Sequence, residues 1–485
     1  MSALSAVVEV GRADRDSSRA LVAAATLAGG ACGALMVRSW VLGFGGLLGL
    51  AACFLGVQWP MGCWVGLFAC YYAVANVIPP AVSSSLFWAG LLVFLAGCWR
   101  ANLASPSSWR AVDPGVSVCA AGWLGWALLS LTHTMALESS LKEIGRYVLS
   151  LLVLFTYFHW LRDEAQIRRL VRWWMGLTLG MAWLTLAKEA LRWLAARGGT
   201  AAPVLDPYPP TLGELGILFE LSLPVSAALL LASPDPRRWR AWVSWGVVAA
   251  ALGVTAAQSA WFSTLVGVGV LLCAYASRRT RRRLLLAAGL IGVAALGLLW
   301  RVPAVSERLL YELSGRDRVW AAAWQAIRES PLLGIGPGCW SVWFSRHFIS
   351  VDFLMHDLQG NTFFLSPSKL GGEAHNVWLT KAAEMGLPSA VWLGLLLLCW
   401  FHAARRAIRQ LPPGWMRTLA VGCMASMAGV VCQSMFEDGP LIGKARGADL
   451  LVTWLLVALP LAAARAAKHT ASGGAPAAGL VAGRG

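Results

Sequence analysis

The sequence predicts an all-α, polytopic membrane protein with about 12–14 transmembrane helices and one large, partly helical loop on the outer (periplasmic) face. Three observations lead there. Of the 485 residues, 58% are hydrophobic and 13% charged, about half the charged share of a soluble domain. Apolar runs of about 17–25 residues, the length that crosses a bilayer as a helix, recur along nearly the whole chain. Lys and Arg gather in the short loops between those runs, which is how a loop is retained on the cytoplasmic side.

Taken in order, residues 1–19 carry Arg12, Asp14, Arg15, Asp16 and Arg19 and read as a cytoplasmic segment. The first apolar run lacks an Ala-x-Ala-like exit, so it is expected to stay as an anchor rather than be cleaved. A transmembrane bundle follows over 20–300, with spans near 20–37, 41–57, 61–79, 86–99, 116–135, 147–161, 170–190, 215–233, 242–257, 260–276 and 284–300. Basic loops at Arg162–Arg172, Arg237–Arg240, Arg278–Arg283 and Arg405–Arg409 mark the inner side and put both termini there. Segments 191–214, 301–376 and 436–448 then face outward. Spans near 377–401, 417–435 and 449–465 form the C-terminal helices over 377–465. The Ala/Gly-rich residues 466–485 read as a disordered cytoplasmic tail.

Composition also excludes function classes. The net charge of +16 is divided among loops rather than gathered on one patch, which argues against nucleic acid as a partner and for the lipid bilayer. Eleven cysteines lie mostly in apolar runs and form no Cys-x-x-Cys pair, so they read as small buried hydrophobes rather than metal ligands. Many of the 27 tryptophans, Trp40, Trp59, Trp99, Trp239 and Trp300 among them, flank apolar runs, where indole favours the interface. No carboxylate pair has metal-ligand spacing and no Walker-type loop is present. No metal and no cofactor are expected.

The long loop 301–376 has a pattern of its own. "SGRDRVWAAAWQAIRESPLLGIGPGCW", Ser314 to Trp340, reads as an amphipathic helix with Val319, Trp320, Ala323, Trp324 and Ile327 at helical spacing. Pro331 stops it, and Gly334 and Gly336 lie in a tight turn. The second half is expected to be an irregular lid. His375 closes the loop, with Gly371 and Gly372 before it, Asn376 placed to cap the next helix and Glu384 further along that helix. A neutral imidazole at the rim of a dry cavity is suited to accept a hydroxyl proton, although the same position suits a polar entry to a helix. Arginines in outward segments, Arg197, Arg316 and Arg318 among them, together with Arg146 after "LESSLKEIG", suit bidentate binding of phosphate or a solvated helix face.

This region resembles the O-antigen ligase / Wzy-type polymerase superfamily, whose members carry a Gly-Arg-x-x-x-Trp helix, a Pro-Leu-x-Gly-x-Gly turn, and His-Asn-x-x-Leu followed by Glu-x-Gly. Here these are Gly315-Arg316 with Trp320, Pro331 to Gly336, His375-Asn376 with Leu379, and Glu384-Met385-Gly386. "PPTLGELGILFELSLPVSAALLL" fits upstream and "SMFEDGP" more loosely downstream, so the likeness covers roughly 200–465. It implies a metal-independent, inverting glycosyltransferase in the bacterial inner (cytoplasmic) membrane. Such an enzyme takes a glycan from a polyprenyl-diphosphate carrier and gives it to an acceptor hydroxyl outside, on a growing glycan or on lipid A–core. It implies His375 as the catalytic group, and Arg316, Arg318, Arg197, Arg146, Asn376 and Glu384 as contacts to diphosphate or glycan. A protein O-oligosaccharyltransferase, or a transporter gated by the outer loop, stays open. One departure stands out: where the family has Ser-Arg-Gly-Ala, this chain reads "TAAQSAWFSTLVG", Thr255 to Gly267, without an arginine.

Overall fold

A computed structural model describes residues 57–74, 80–103, 112–197, 211–232, 238–255, 257–283, 285–286, 289–290, 316–348, 353–356, 362–365, 374–437, 441 and 448–471. The spans expected at 20–37 and over nearly all of 41–57, most of 284–300, and the tail beyond Ala471 lie outside these residues. The chain divides into two compact units, one of residues 1–67 with 85–105 and one of 68–84 with 106–485. In the first, α1 (Pro60–Val74) and α2 (Pro80–Leu103) come close where Gly90 lacks a side chain: a Cβ there would stand 2.4 Å from Leu67.

The second unit holds the rest. Pro114 opens α3 (Pro114–Ser130), and the Asp113 side chain caps it by accepting from the amides of Gly115 and Val116. A 3₁₀ turn, Leu131–His133, leads to α4 (Leu137–Trp160) and then α5 (Glu164–Arg197). At 34 residues, α5 is about 50 Å long, well beyond a hydrocarbon core of about 30 Å. The helix thus runs beyond the span expected at 170–190, because "KEALRWLAAR" is built of helix formers. Next come α6 (Thr211–Leu231), α7 (Arg238–Val254) and α8 (Gln258–Tyr275).

The long loop contains α9 (Arg316–Glu329) and α10 (Trp340–Phe348). Its second half also holds a short antiparallel hairpin, β1 (Phe353–His356) with β2 (Thr362–Leu365), pairing Phe353 with Leu365 and His356 with Thr362. Phe and Thr favour strands. The apolar run expected as one span from 377 breaks at Gly386 into α11 (Val377–Met385) and α12 (Leu387–Gln410). The bundle closes with α13 (Trp415–Gln433) and α14 (Ala448–Ala471), which runs past the expected end at 465. Among the described residues, five helices are long and apolar enough to cross a membrane: 114–133, 258–275, 387–410, 415–433 and 449–468.

Small residues set the packing. α13 meets α6, α8 and α14, and its face of Gly422, Ala425, Ser426 and Gly429 lets those backbones approach closely, as helices do where no water drives them together. Ser426 Oγ donates to the Leu221 carbonyl of α6 at 2.9 Å. The membrane-crossing window of α14 is 89% buried, against 22% for α8, so α14 is the central helix and is apolar nearly all round. At Gly429 a Cβ would stand 2.2 Å from the Ser263 carbonyl oxygen. Gly429→Ala should therefore destabilise the purified protein by about 1–3 kcal/mol, the usual cost of overpacking, read as a lower thermal midpoint in detergent. An unchanged midpoint would show that α8 and α13 separate there at no cost.

Candidate functional site

Two stretches expected to matter, Pro331–Gly338 and Glu384–Gly386, meet backbone to backbone. The amide of Ile335 donates to the Ala383 carbonyl (3.0 Å), that of Gly336 to Glu384 (2.8 Å), and that of Leu387 to Pro331 (2.8 Å). Gly334 (φ +68°) and Gly386 (φ +78°) have left-handed backbones that suit glycine. Space is short as well. A Cβ on Gly334 would lie 2.4 Å from the Glu384 carbonyl, and one on Gly386 would lie 1.9 Å from the Leu332 oxygen. The link between α3 and α4 grips this seam from the other side: Ser130 Oγ donates to the Leu333 carbonyl (2.5 Å), Trp126 Nε1 to Met385 (2.9 Å) and Ser140 Oγ to Pro337 (2.7 Å). His133 Nδ1 lies 2.8 Å from the Gly334 carbonyl. Beneath the seam, Val319, Ala323, Trp340, Trp343, Phe344 and Ala383 form an apolar core that binds α9 and α10 to α11.

At the start of α11 the chain is pinned to the end of α13. Asn376 Oδ1 accepts from the Leu379 amide (3.0 Å) as the N-cap, and its Nδ2 donates to the Met435 carbonyl (2.8 Å). Val377 N donates to Ser434 O at 3.0 Å, and Trp378 Nε1 to Ser434 Oγ at 3.0 Å. These bonds force His375 into φ +50°, the one positive φ among the described non-glycine residues, at a cost of about 1–2 kcal/mol. His375 Nδ1 then lies 2.8 Å from Glu437 Oε1, and Arg316 Nη2 lies 3.1 Å from Glu437 Oε2. Arg316 Nη1 also donates to the Phe436 carbonyl at 2.7 Å. A carboxylate only accepts, so the imidazole carries a proton on Nδ1, directed at Glu437. Arg316 and His375 are each partly open, at 31% exposure.

A second set of charges lies deeper along α11. Lys381 Nζ donates to Tyr147 OH (2.7 Å), Glu384 Oε2 (2.9 Å) and Glu143 Oε1 (3.0 Å), and the lysine is 3% exposed. Glu143 Oε2 accepts from Arg146 Nη1 at 2.9 Å. Neither α11 nor the first turns of α4 fall in the five segments long and apolar enough to cross a membrane. Burial disfavours the Lys381 ammonium, yet Glu143 and then Glu384 outweigh it and hold the group well above the ordinary lysine value. Burial likewise opposes the Glu143 carboxylate, while Lys381 and then Arg146 hold it below the ordinary carboxylate value.

The structure thus joins His375, Asn376 and Arg316 into one site, with Gly334 and Gly336 supporting it. Glu384 is buried and turned to Lys381, so it braces α11. Arg146 is half-exposed beside Glu143. Arg197 stacks on Trp193 of its own helix, 3.8 Å from the ring centroid, with no contact to the other site residues among those described. The Arg318 side chain lies outside the described residues. Among the described residues no group of three or more His, Cys, Asp or Glu is arranged to hold a metal. In the stretch that departs from the family pattern, Ser259 Oγ accepts from Gln433 Nε2 at 3.3 Å. Sequence reading missed Glu437, Glu143, Tyr147 and Lys381. For Lys381 a signal existed: it stands three residues before Glu384 in the otherwise uncharged "VWLTKAAEMG", and a lysine buried there demands a partner.

Residues 243–399 match the family model described as O-antigen ligase. A comparison with curated proteins finds no match. The matched segment includes the α9 helix, the glycine turn, His375 and the Glu384–Gly386 seam. Gly386→Ala should cost more than about 3 kcal/mol, since strain at a positive φ adds to a clash with backbone, and little protein should reach the membrane. Gly394→Ala, on α12 with only an ordinary contact to Trp378 at 3.8 Å, is the control and should accumulate normally. Equal abundance of the two variants would show that the seam tolerates separation.

Proposed function

We propose that this multi-pass membrane protein, whose residues 243–399 match the O-antigen ligase family model, transfers a glycan from a polyprenyl-diphosphate carrier to an acceptor hydroxyl. The observation that carries the reading is the Glu437–His375 pair at 2.8 Å. It orients the imidazole in a turn clamped by Asn376, Val377 and Trp378.

In this reading His375 Nε2 takes the acceptor proton as the hydroxyl oxygen attacks the anomeric carbon. The bond from that carbon to the diphosphate breaks, and the diphosphate leaves with the bonding pair. Attack from the opposite face inverts the centre, and the activated leaving group makes a nucleotide or metal unnecessary. Glu437 stabilises the imidazolium that forms, and Arg316 holds Glu437 while its remaining donors face the growing negative charge. Arg146, Arg318 and Arg197 are the further candidates for diphosphate or glycan. The acceptor is a growing glycan or lipid A–core, and the site faces the periplasmic side of the bacterial inner membrane. A protein side chain as acceptor would use the same geometry.

Asparagine tolerates a positive φ, so His375→Asn should insert at wild-type abundance yet lose transfer by about 10²–10⁴-fold, the usual worth of positioned proton transfer. Wild-type turnover per molecule in that variant would end the catalytic reading. Arg316→Lys keeps the charge but cannot reach both Phe436 O and Glu437 at once, so transfer should fall at unchanged abundance. A reporter fused near Gly360 should show periplasmic activity. Cytoplasmic activity there would put the site on the wrong face for an exported lipid-linked glycan.

A further inference from the structure

The buried network on α11 has a role that the His375 site does not account for. Three charges, Lys381, Glu143 and Glu384, are each no more than 5% exposed. Well-packed apolar residues in such a place are commonly as stable or more so. Stability alone therefore does not explain the network. Its geometry offers a reason. Glu143 divides its carboxylate, Oε1 facing Lys381 at 3.0 Å and Oε2 facing Arg146 at 2.9 Å. Among the described residues Arg146 pairs with Glu143 alone, and its side chain is 45% exposed. A guanidinium carries five donors in a fixed fork. Glu143 takes Nη1, and the half-exposed guanidinium keeps other donors accessible.

The anchor is rigid. Lys381 cannot swing, because Tyr147 OH and Glu384 Oε2 hold it as well. The α4 end is held too: a Cβ on Gly338 would stand 2.9 Å from Glu143 Cβ, so the glycine turn sits directly on this residue. His375 lies two residues before α11, and Lys381 is the fifth residue of that helix. One short helix thus carries the base at its start and the anchor of Arg146 in its middle. Resting on the carrier reading above, we propose that Glu143 and Lys381 are positioning residues that hold Arg146 as a preoriented diphosphate contact at a fixed offset from His375.

Binding of a short polyprenyl diphosphate, farnesyl diphosphate, to the purified full-length protein in lipid nanodiscs tests this without an acceptor. Arg146→Ala should weaken binding about tenfold or more, the scale of a charge-assisted hydrogen bond to an anion. Glu143→Gln leaves Lys381 paired with Glu384 and should weaken binding in the same direction. The double variant should bind no more weakly than Arg146→Ala, because Glu143 acts through Arg146. Glu138→Gln makes the same chemical change on the same helix, at an exposed residue paired only with Lys142 among those described, and should bind as wild type. Should Glu143→Gln fail to accumulate, Glu143→Asp, which shortens the bridge, takes its place.

Wild-type binding by Arg146→Ala overturns the proposal, as does wild-type binding by the Glu143 variant. Additive losses in the double variant overturn it as well. In each of those cases a loss of transfer in His375→Asn would leave the carrier reading standing. Failure of the wild-type protein to bind farnesyl diphosphate would instead strike the carrier reading itself, and this inference with it.

Discussion

The site depends on one constraint: the backbones of Pro331–Gly336 and Ala383–Leu387 lie in direct hydrogen-bonded contact. Nothing larger than hydrogen fits at Gly334 or Gly386, where added carbons would fall 2.4 Å and 1.9 Å from main-chain atoms. That contact joins the end of α9 to the junction of α11 and α12. It fixes the helix that presents Arg316 relative to the helix that begins at His375. Separating the two by the width of a methyl group would exceed the tolerance of a 3 Å ion pair through Glu437. Each amide that bonds across the seam also satisfies a group that would otherwise be stranded beside the membrane.

α11 is short, nine residues, and isolated helices of that length are unstable in water. It is held by what surrounds it. Asn376 caps its start, Lys381 ties its middle to α4, and Ser389 Oγ donates to the Lys381 carbonyl at 2.7 Å near its end. Three kinds of attachment, a cap, a buried charge network and a backbone seam, leave it no freedom to rotate. The proposed base needs to be held in one orientation, and this helix supplies that rigidity. The positive φ of His375 fits the same logic, since strain persists only where neighbouring bonds over-determine it.

The membrane bundle contributes through α13. Its small-residue face draws α6 and α8 close, and the turn that follows it carries the carbonyls of Ser434, Met435 and Phe436 and then Glu437 to the start of α11. Packing among the apolar helices therefore sets the position of a carboxylate just beyond the end of α13. Bundle and loop meet on the same few residues, so helix packing and site geometry are one problem rather than two.

Much of this was legible in the sequence. Apolar runs gave the helical class, the spacing of Val319, Ala323 and Ile327 gave α9, Pro331 gave its end, and Asn376 gave the cap of α11, because each depends on neighbours within a few positions. Gly334, Gly336 and Gly386 were visible as glycines, but a sequence does not say which backbone approaches them. The break of the 377–401 run was hidden for a related reason: apolar periodicity continues through Gly386, and only contact with Leu332 forces the chain to turn there. Glu437 and Glu143 were missed because their partners lie 62 and 238 positions away. A carboxylate's role is set by the cation or imidazole it meets, and that meeting is decided by tertiary packing. The residue types and local elements followed from the sequence. Which of the arginines and carboxylates share a site was decided by the fold, through contacts whose energies depend on distances of about 3 Å that no local pattern encodes.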